Sequence, residues 1–173
     1  MTPHQGSMDH EHPARDTPLD VARTTTLGFA AGLRSVMPLA LLASQLEREG
    51  PDIADGGWAV EALTSPELAR ALAFAAVGEL LADKLPFARD RVEPPWLMGR
   101  VIIGGATGAL ASLAEGRRSD SGAAAGSVGA VLGTLVGFGL RTRVARALPV
   151  PGLVVALAED ALAFALGRWA VSH

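Results

Sequence analysis

The chain has no cysteine and no tyrosine, and aromatic residues make up only 5% of its 173 positions. Without cysteine there is no disulfide and no thiol chemistry. Of the four histidines, His4, His10 and His12 lie in a polar leading stretch and His173 is the last residue. The H-E-x-x-H and G-x-S-x-G arrangements that carry zinc and serine chemistry are both missing, which leaves only carboxylate chemistry open to an enzyme, and none is expected. A basic surplus is missing too. The net charge is -3, and no basic helix occurs outside the predicted membrane loops, so nucleic acid is not expected as a partner. No apolar segment with a small-residue cleavage site follows a basic start, so no signal peptide is read.

What the chain does have is apolar residues, 49% of the total, and 20 glycines, with a mean hydropathy of +0.30. That average hides a contrast between Met1–Asp20 (MTPHQGSMDHEHPARDTPLD) and the Ala/Leu/Gly/Val-rich remainder. The polar tail, residues 1–20, is expected to be disordered, and residues 21–173 to form an all-α, polytopic transmembrane helical domain. An unstructured tail does not preorganise His4, His10 and His12 around a metal, so neither metal nor cofactor is expected.

Five apolar segments follow. The first, Val21 to Gln45, holds Gly32, Arg34, Ser35 and Pro38 near its middle, which predicts a kinked or broken helix. An arginine at the centre of a span costs at least ~2.5 kcal/mol on insertion scales, so Arg34 should face a carboxylate in the bundle interior. Glu47 to Glu61 reads as an exposed loop, with Trp58 as an interfacial anchor. Ser65, Pro66 and Glu67 then form a helix start. The third, fourth and fifth segments are Leu97–Leu113, Gly122–Leu140 and Pro149–Trp169. Gly104 and Gly108, and then Gly129, Gly133 and Gly137, recur at fourfold spacing, the pattern by which helices pack closely in a bilayer.

The second segment, Ala71 to Pro86 (ALAFAAVGELLADKLP), carries Glu79, Asp83 and Lys84. Glu79 and Asp83 lie on one helix face, one turn apart, while Lys84 points away and Pro86 ends or kinks the helix. From a start at Pro66, Glu79 lies about 20 Å along a helix, still within a hydrocarbon core ~30 Å thick. A carboxylate there must be protonated, paired or wet. Asp83, Lys84 and Pro86 also fit the end of a span at the surface, where Lys84 can snorkel. In the last segment Glu159 and Asp160 fall near the midpoint.

Five spans put the amino terminus, the 84–100 loop and the 141–146 loop on one side. That side holds nine Lys and Arg residues against five opposite, which by the positive-inside rule makes the amino terminus cytoplasmic. GFAAGLRS (28–35) is echoed by VGFGLRT (136–142), and LAFAAVGEL (72–80) by GLVVALAED (152–160), a weak inverted repeat of the transporter kind or a chance similarity.

Gly32-Leu33-Arg34-Ser35 followed by Met37 and Pro38, Glu79-x-x-x-Asp83-Lys84-x-Pro86 with a later Asp90, a Gly-rich third span, and Glu159-Asp160 followed by Ala161 form a pattern. It resembles the DUF4126 family of small bacterial integral membrane proteins, over about Leu27 to Leu166. E-x-x-x-D-K-x-P is its most specific element. The family's function is unknown, so the resemblance implies a bacterial inner-membrane location, multi-pass, and supplies no reaction.

Two readings stay open. In the first, the protein is a transporter or channel for protons, cations or a small solute. Glu79 with Glu159 or Asp160 would then line a polar site, Arg34 would be the counter-charge, and Pro38 would break the helix there. In the second, the charges are permanent ion pairs of a structural or assembly protein. The lipid bilayer is the expected partner, and the glycines fit a monomer or a homo-oligomer.

Overall fold

A computed structural model of the chain describes residues 16–50, 57–82, 94–147 and 151–172. The described residues are all-helical, with α1 (Pro18–Leu33), α2 (Met37–Glu49), α3 (Gly57–Leu63), α4 (Pro66–Ala82), α5 (Pro94–Ala114), α6 (Ser119–Ala147) and α7 (Gly152–Ser172). The first helix starts before the expected end of the polar tail. Thr17 and Asp20 form a reciprocal capping box with Pro18 in the first turn, so order begins by Thr17 and not after Asp20. The histidines of the tail lie outside the described residues, as do Asp83, Lys84, Pro86 and Asp90.

The first apolar segment is not one span. It is two helices, broken at residues 34–36, that fold back on each other: Leu27 of α1 packs in one cluster with Leu42, Ala43 and Leu46 of α2. Arg23 and Thr24 at the start of α1 consequently share a cavity with Gln45 and Glu49 at the end of α2. Pro38 does not kink a continuous helix but sits buried in the first turn of α2, where its missing N–H leaves no bond unmade. The acidic 47–61 stretch is also less loop-like than expected. α3 begins at Gly57 and presents Trp58 almost fully, at 83% exposure.

Glycine faces fix how α1, α5 and α6 meet. A Cβ on Gly104 would press on the Ala130 side chain at 2.6 Å, and one on Gly108, Gly122 or Gly126 would collide with backbone of the facing helix, which sets α5 antiparallel to α6. Gly129 and Gly133 lie against the backbone of Thr25 and Phe29, and Gly28 and Gly32 against Gly126 and Ala130, so α6 runs parallel to α1. The expected packing role holds for Gly104, Gly108, Gly129 and Gly133. Gly137 differs: its added carbon would meet side chains and no backbone, Leu33 at 2.8 Å and the Glu159 Oε1 at 3.8 Å.

These contacts, with Arg23 donating to the Ala170 carbonyl at 3.2 Å, give the directions. α1, α4 and α6 run one way, and α2, α5 and α7 the other. Arg23 and Arg141 therefore lie at opposite ends of the bundle, so the grouping on which the nine-to-five charge bias was counted does not hold. The inverted repeat fails for a related reason. Its two Gly-Leu-Arg segments lie on parallel helices, whereas inversion needs them opposed.

Among the described residues two helices, α5 and α6, are long and apolar enough to cross a membrane. α7 is as long as α5 but carries Glu159, Asp160 and Arg168, and α4 has only 17 residues. Large apolar side chains face outward along four helices, among them Phe74 on α4, Ile102 on α5, Leu135 on α6 and Phe164 on α7, while several charges face inward.

Candidate functional site

The break between α1 and α2 lies inside the bundle. Thr134 of α6 donates to the Gly32 carbonyl at 3.1 Å, and about 20 Å of α6 continues beyond that level. A turn buried there strands the last carbonyls of α1 and the first N–H groups of α2, with no bulk water to satisfy them. Two other helices supply what is missing. Arg100 of α5, itself buried, donates to the carbonyls of Gly32 and Leu33, the latter at 3.0 Å. Glu79 of α4 accepts from the backbone N–H of Ser35 at 2.8 Å and of Val36 at 2.9 Å. Val36, the N-cap of α2, has no capping side chain of its own, so the α4 carboxylate takes that place at the positive end of the helix.

Arg34, fully buried at the C-cap of α1, forms an ion pair with Asp160 of α7 through both its Nε and a terminal nitrogen. One residue back on α7, Glu159 accepts from Arg141 of α6 at 2.6 Å. Arg34, Glu79, Glu159 and Asp160 are therefore brought to one layer at the hairpin tip. The expectation that Arg34 faces a carboxylate is met by Asp160, with Glu79 bound to backbone instead.

The sequence reading missed Arg100, counted as a charge of the 84–100 loop, and took Arg141 as a loop charge and part of the Gly-Leu-Arg echo without pairing it with Glu159. A signal existed for each. Arg100 stands next to an uninterrupted apolar run, Val101–Ile103, and Arg141 repeats the Gly-Leu-Arg of Arg34.

A second charged group lies at the opposite end. Arg117 pairs with Asp16 at 2.9 Å and with Glu115 at 2.7 Å, and Glu115 also holds Arg23 at 3.0 Å. Hydrogen bonds from Ser121 and Arg117 hold the Asp16 carboxyl below its ordinary range. Beside this group is a cavity of about 310 Å³ reaching Gln45, Glu49 and Ser172, floored by Leu27, Leu42 and Leu46. These leucines belong to the packed core between the two charged layers. Among the described residues no cluster of three or more His, Asp or Glu side chains is placed to hold a metal.

No known family, curated protein or solved structure matches the chain.

Proposed function

We propose that the protein is a multi-pass membrane protein that passes protons, cations or a small solute, with the α1–α2 hairpin tip as its working part. One observation carries this reading: a helix interrupted inside the bundle, at the level where Glu79, Glu159 and Asp160 converge. Non-helical backbone at membrane depth is tolerated only where protein buries it or a cavity receives it, and discontinuous helices are a recurrent way of building transport sites. In this reading Glu79 is the exchangeable group. It holds the tip through two backbone hydrogen bonds, and loss of its charge or displacement by a solute frees two donors at the start of α2.

The other reading, an architectural role, draws on a different observation: Arg34, Arg141, Glu79 and Arg100 all have partners within the fold. In that case the charges fix how the hairpin seats and nothing moves. Liposomes containing wild type or Glu79→Gln at equal folded protein, followed with an internal pH dye under an imposed potassium gradient, separate the two. Flux in wild type that disappears in the variant supports transport. Absence of flux from both, with a less thermostable variant, supports architecture. The outward Phe, Leu and Ile side chains and the resemblance to small inner-membrane proteins support the membrane location.

A further inference from the structure

Between α6 and α7 lies a cavity of about 380 Å³ that borders the hairpin-tip layer through Glu159 and extends from it between the two helices. Its walls are Val136, Leu140 and Val144 of α6, Val154 and Leu162 of α7, and Phe29 of α1. Its polar lining is the Arg141–Glu159 pair, in which Glu159 is buried and the Arg141 side chain remains 37% exposed. Apart from that pair the lining is apolar, so an apolar occupant would bury its own surface and that of the cleft together. Val136, Leu140 and Val154 are each about half exposed, so the cavity opens through apolar residues on the outer surface of the bundle.

Charge along this stretch of α6 is one-sided. Arg143 and Arg146 are exposed on the last two turns of α6, and no acidic residue occurs between Asp120 and Glu159. α7 begins at Gly152, five residues after α6 ends, so its positive N-terminal end is tethered near the same place. Apolar walls, with Arg141 in the lining and the exposed Arg143 and Arg146 further along the same helix, match one chemistry, a hydrocarbon chain carrying an anionic head. A second copy of the chain is the poorer occupant. A two-fold contact through this cleft would set each arginine cluster against its twin.

We infer that the α6–α7 cleft binds one anionic phospholipid, an acyl chain filling the cavity and the phosphate held at the arginine end of α6. This rests on the membrane location proposed above and not on transport. Requirement of detergent for extraction, checked first, separates failure of that location from failure of this site.

The test is native mass spectrometry of delipidated protein titrated with phosphatidylglycerol or phosphatidylcholine of identical chains. One phosphatidylglycerol should bind at least tenfold more tightly than phosphatidylcholine. Ala158→Trp, which fills the cleft, should abolish that binding, while Ala124→Trp, on an exposed part of α6 away from the cleft, should leave it unchanged. Arg143→Gln with Arg146→Gln should erase the preference between the two lipids. Equal binding of both lipids by wild type, or phosphatidylglycerol binding unaffected by Ala158→Trp, overturns the inference. Photo-crosslinking of wild type with a chain-labelled phosphatidylglycerol keeps the test independent of variant folding. Labelling concentrated at 136–144 and 154–162 supports the site, and labelling spread evenly over the outer faces of α4 and α5 overturns it. So does a dimer that Ala158→Trp dissociates in the absence of bound lipid.

Discussion

The protein makes two helical hairpins of different construction. α5 and α6 are joined at the end of the bundle by Glu115–Arg118, and that turn is completed largely from its own neighbourhood. The Arg117 N–H donates back to the Ser112 carbonyl at 2.8 Å, Gly116 takes the positive φ of 66° that closes α5, and Glu115 pairs with Arg117. α1 and α2 are joined inside the bundle, where each stranded polar group needs a partner from another helix. Glu79 stands 44 residues from Ser35, Arg100 67 from Leu33, and Asp160 126 from Arg34. An outer turn can rely on local bonds and water, whereas an inner turn depends on charges held by the rest of the fold.

The sharpest way to break this comparison is to remove a partner of the inner turn. Asp160→Asn leaves Arg34 buried beside a neutral group and should lower stability by about 3–5 kcal/mol, read as unfolding in detergent. If the variant unfolds like wild type, the inner turn does not depend on that pair. Next come the backbone contacts that seat the hairpin. Gly133→Leu would drive a side chain into the backbone of Phe29, with a loss of about 3 kcal/mol expected, while Gly139→Ala, with nothing within 4 Å, should be neutral or slightly stabilising.

Glu79→Gln retains one acceptor for two backbone donors and should cost about 1–3 kcal/mol. The matching change at the outer turn, Glu115→Gln, should cost only about 0.2–1 kcal/mol, because Glu115 is partly solvated. Equal losses at the two positions would remove the distinction between the turns. The smallest effect concerns pH. The folded Asp16 carboxyl is held below its unfolded value of 3.8, so its contribution is present above about pH 4 and fades as pH falls through the lowered value. Acid unfolding of Asp16→Asn should lack this component, and an identical acid profile would show that the bonds from Ser121 and Arg117 to this carboxylate contribute nothing in solution.

The same contrast explains what was legible in the sequence. EGRRSD reads as a turn because its determinants are contiguous, and the glycine spacing of α5 and α6 reads as close packing for the same reason. Ser65-Pro66-Glu67 marks the start of α4 correctly, with Ser65 accepting from the Leu68 N–H at 3.2 Å. The inner turn offers no such local signature. Arg34, Ser35 and Pro38 disclose an interruption, but the reversal of direction is settled by Glu79 and Arg100, whose roles appear only once the chain has folded. Hydropathy alone merges α1 and α2 into one apolar run, and that error then carries into the count of spans and the side assigned to each loop.

That reversal also changes a parity. Besides the short α3, six helices now alternate in direction where five spans were expected, and Arg23 near the start of α1 touches Ala170 near the end of α7. An odd number of alternating helices sets the beginning and end of a bundle apart, whereas an even number returns them to the same end. Two halves of a split fluorescent protein, one fused ahead of α1 and the other behind α7, would on this arrangement reassemble within a single molecule.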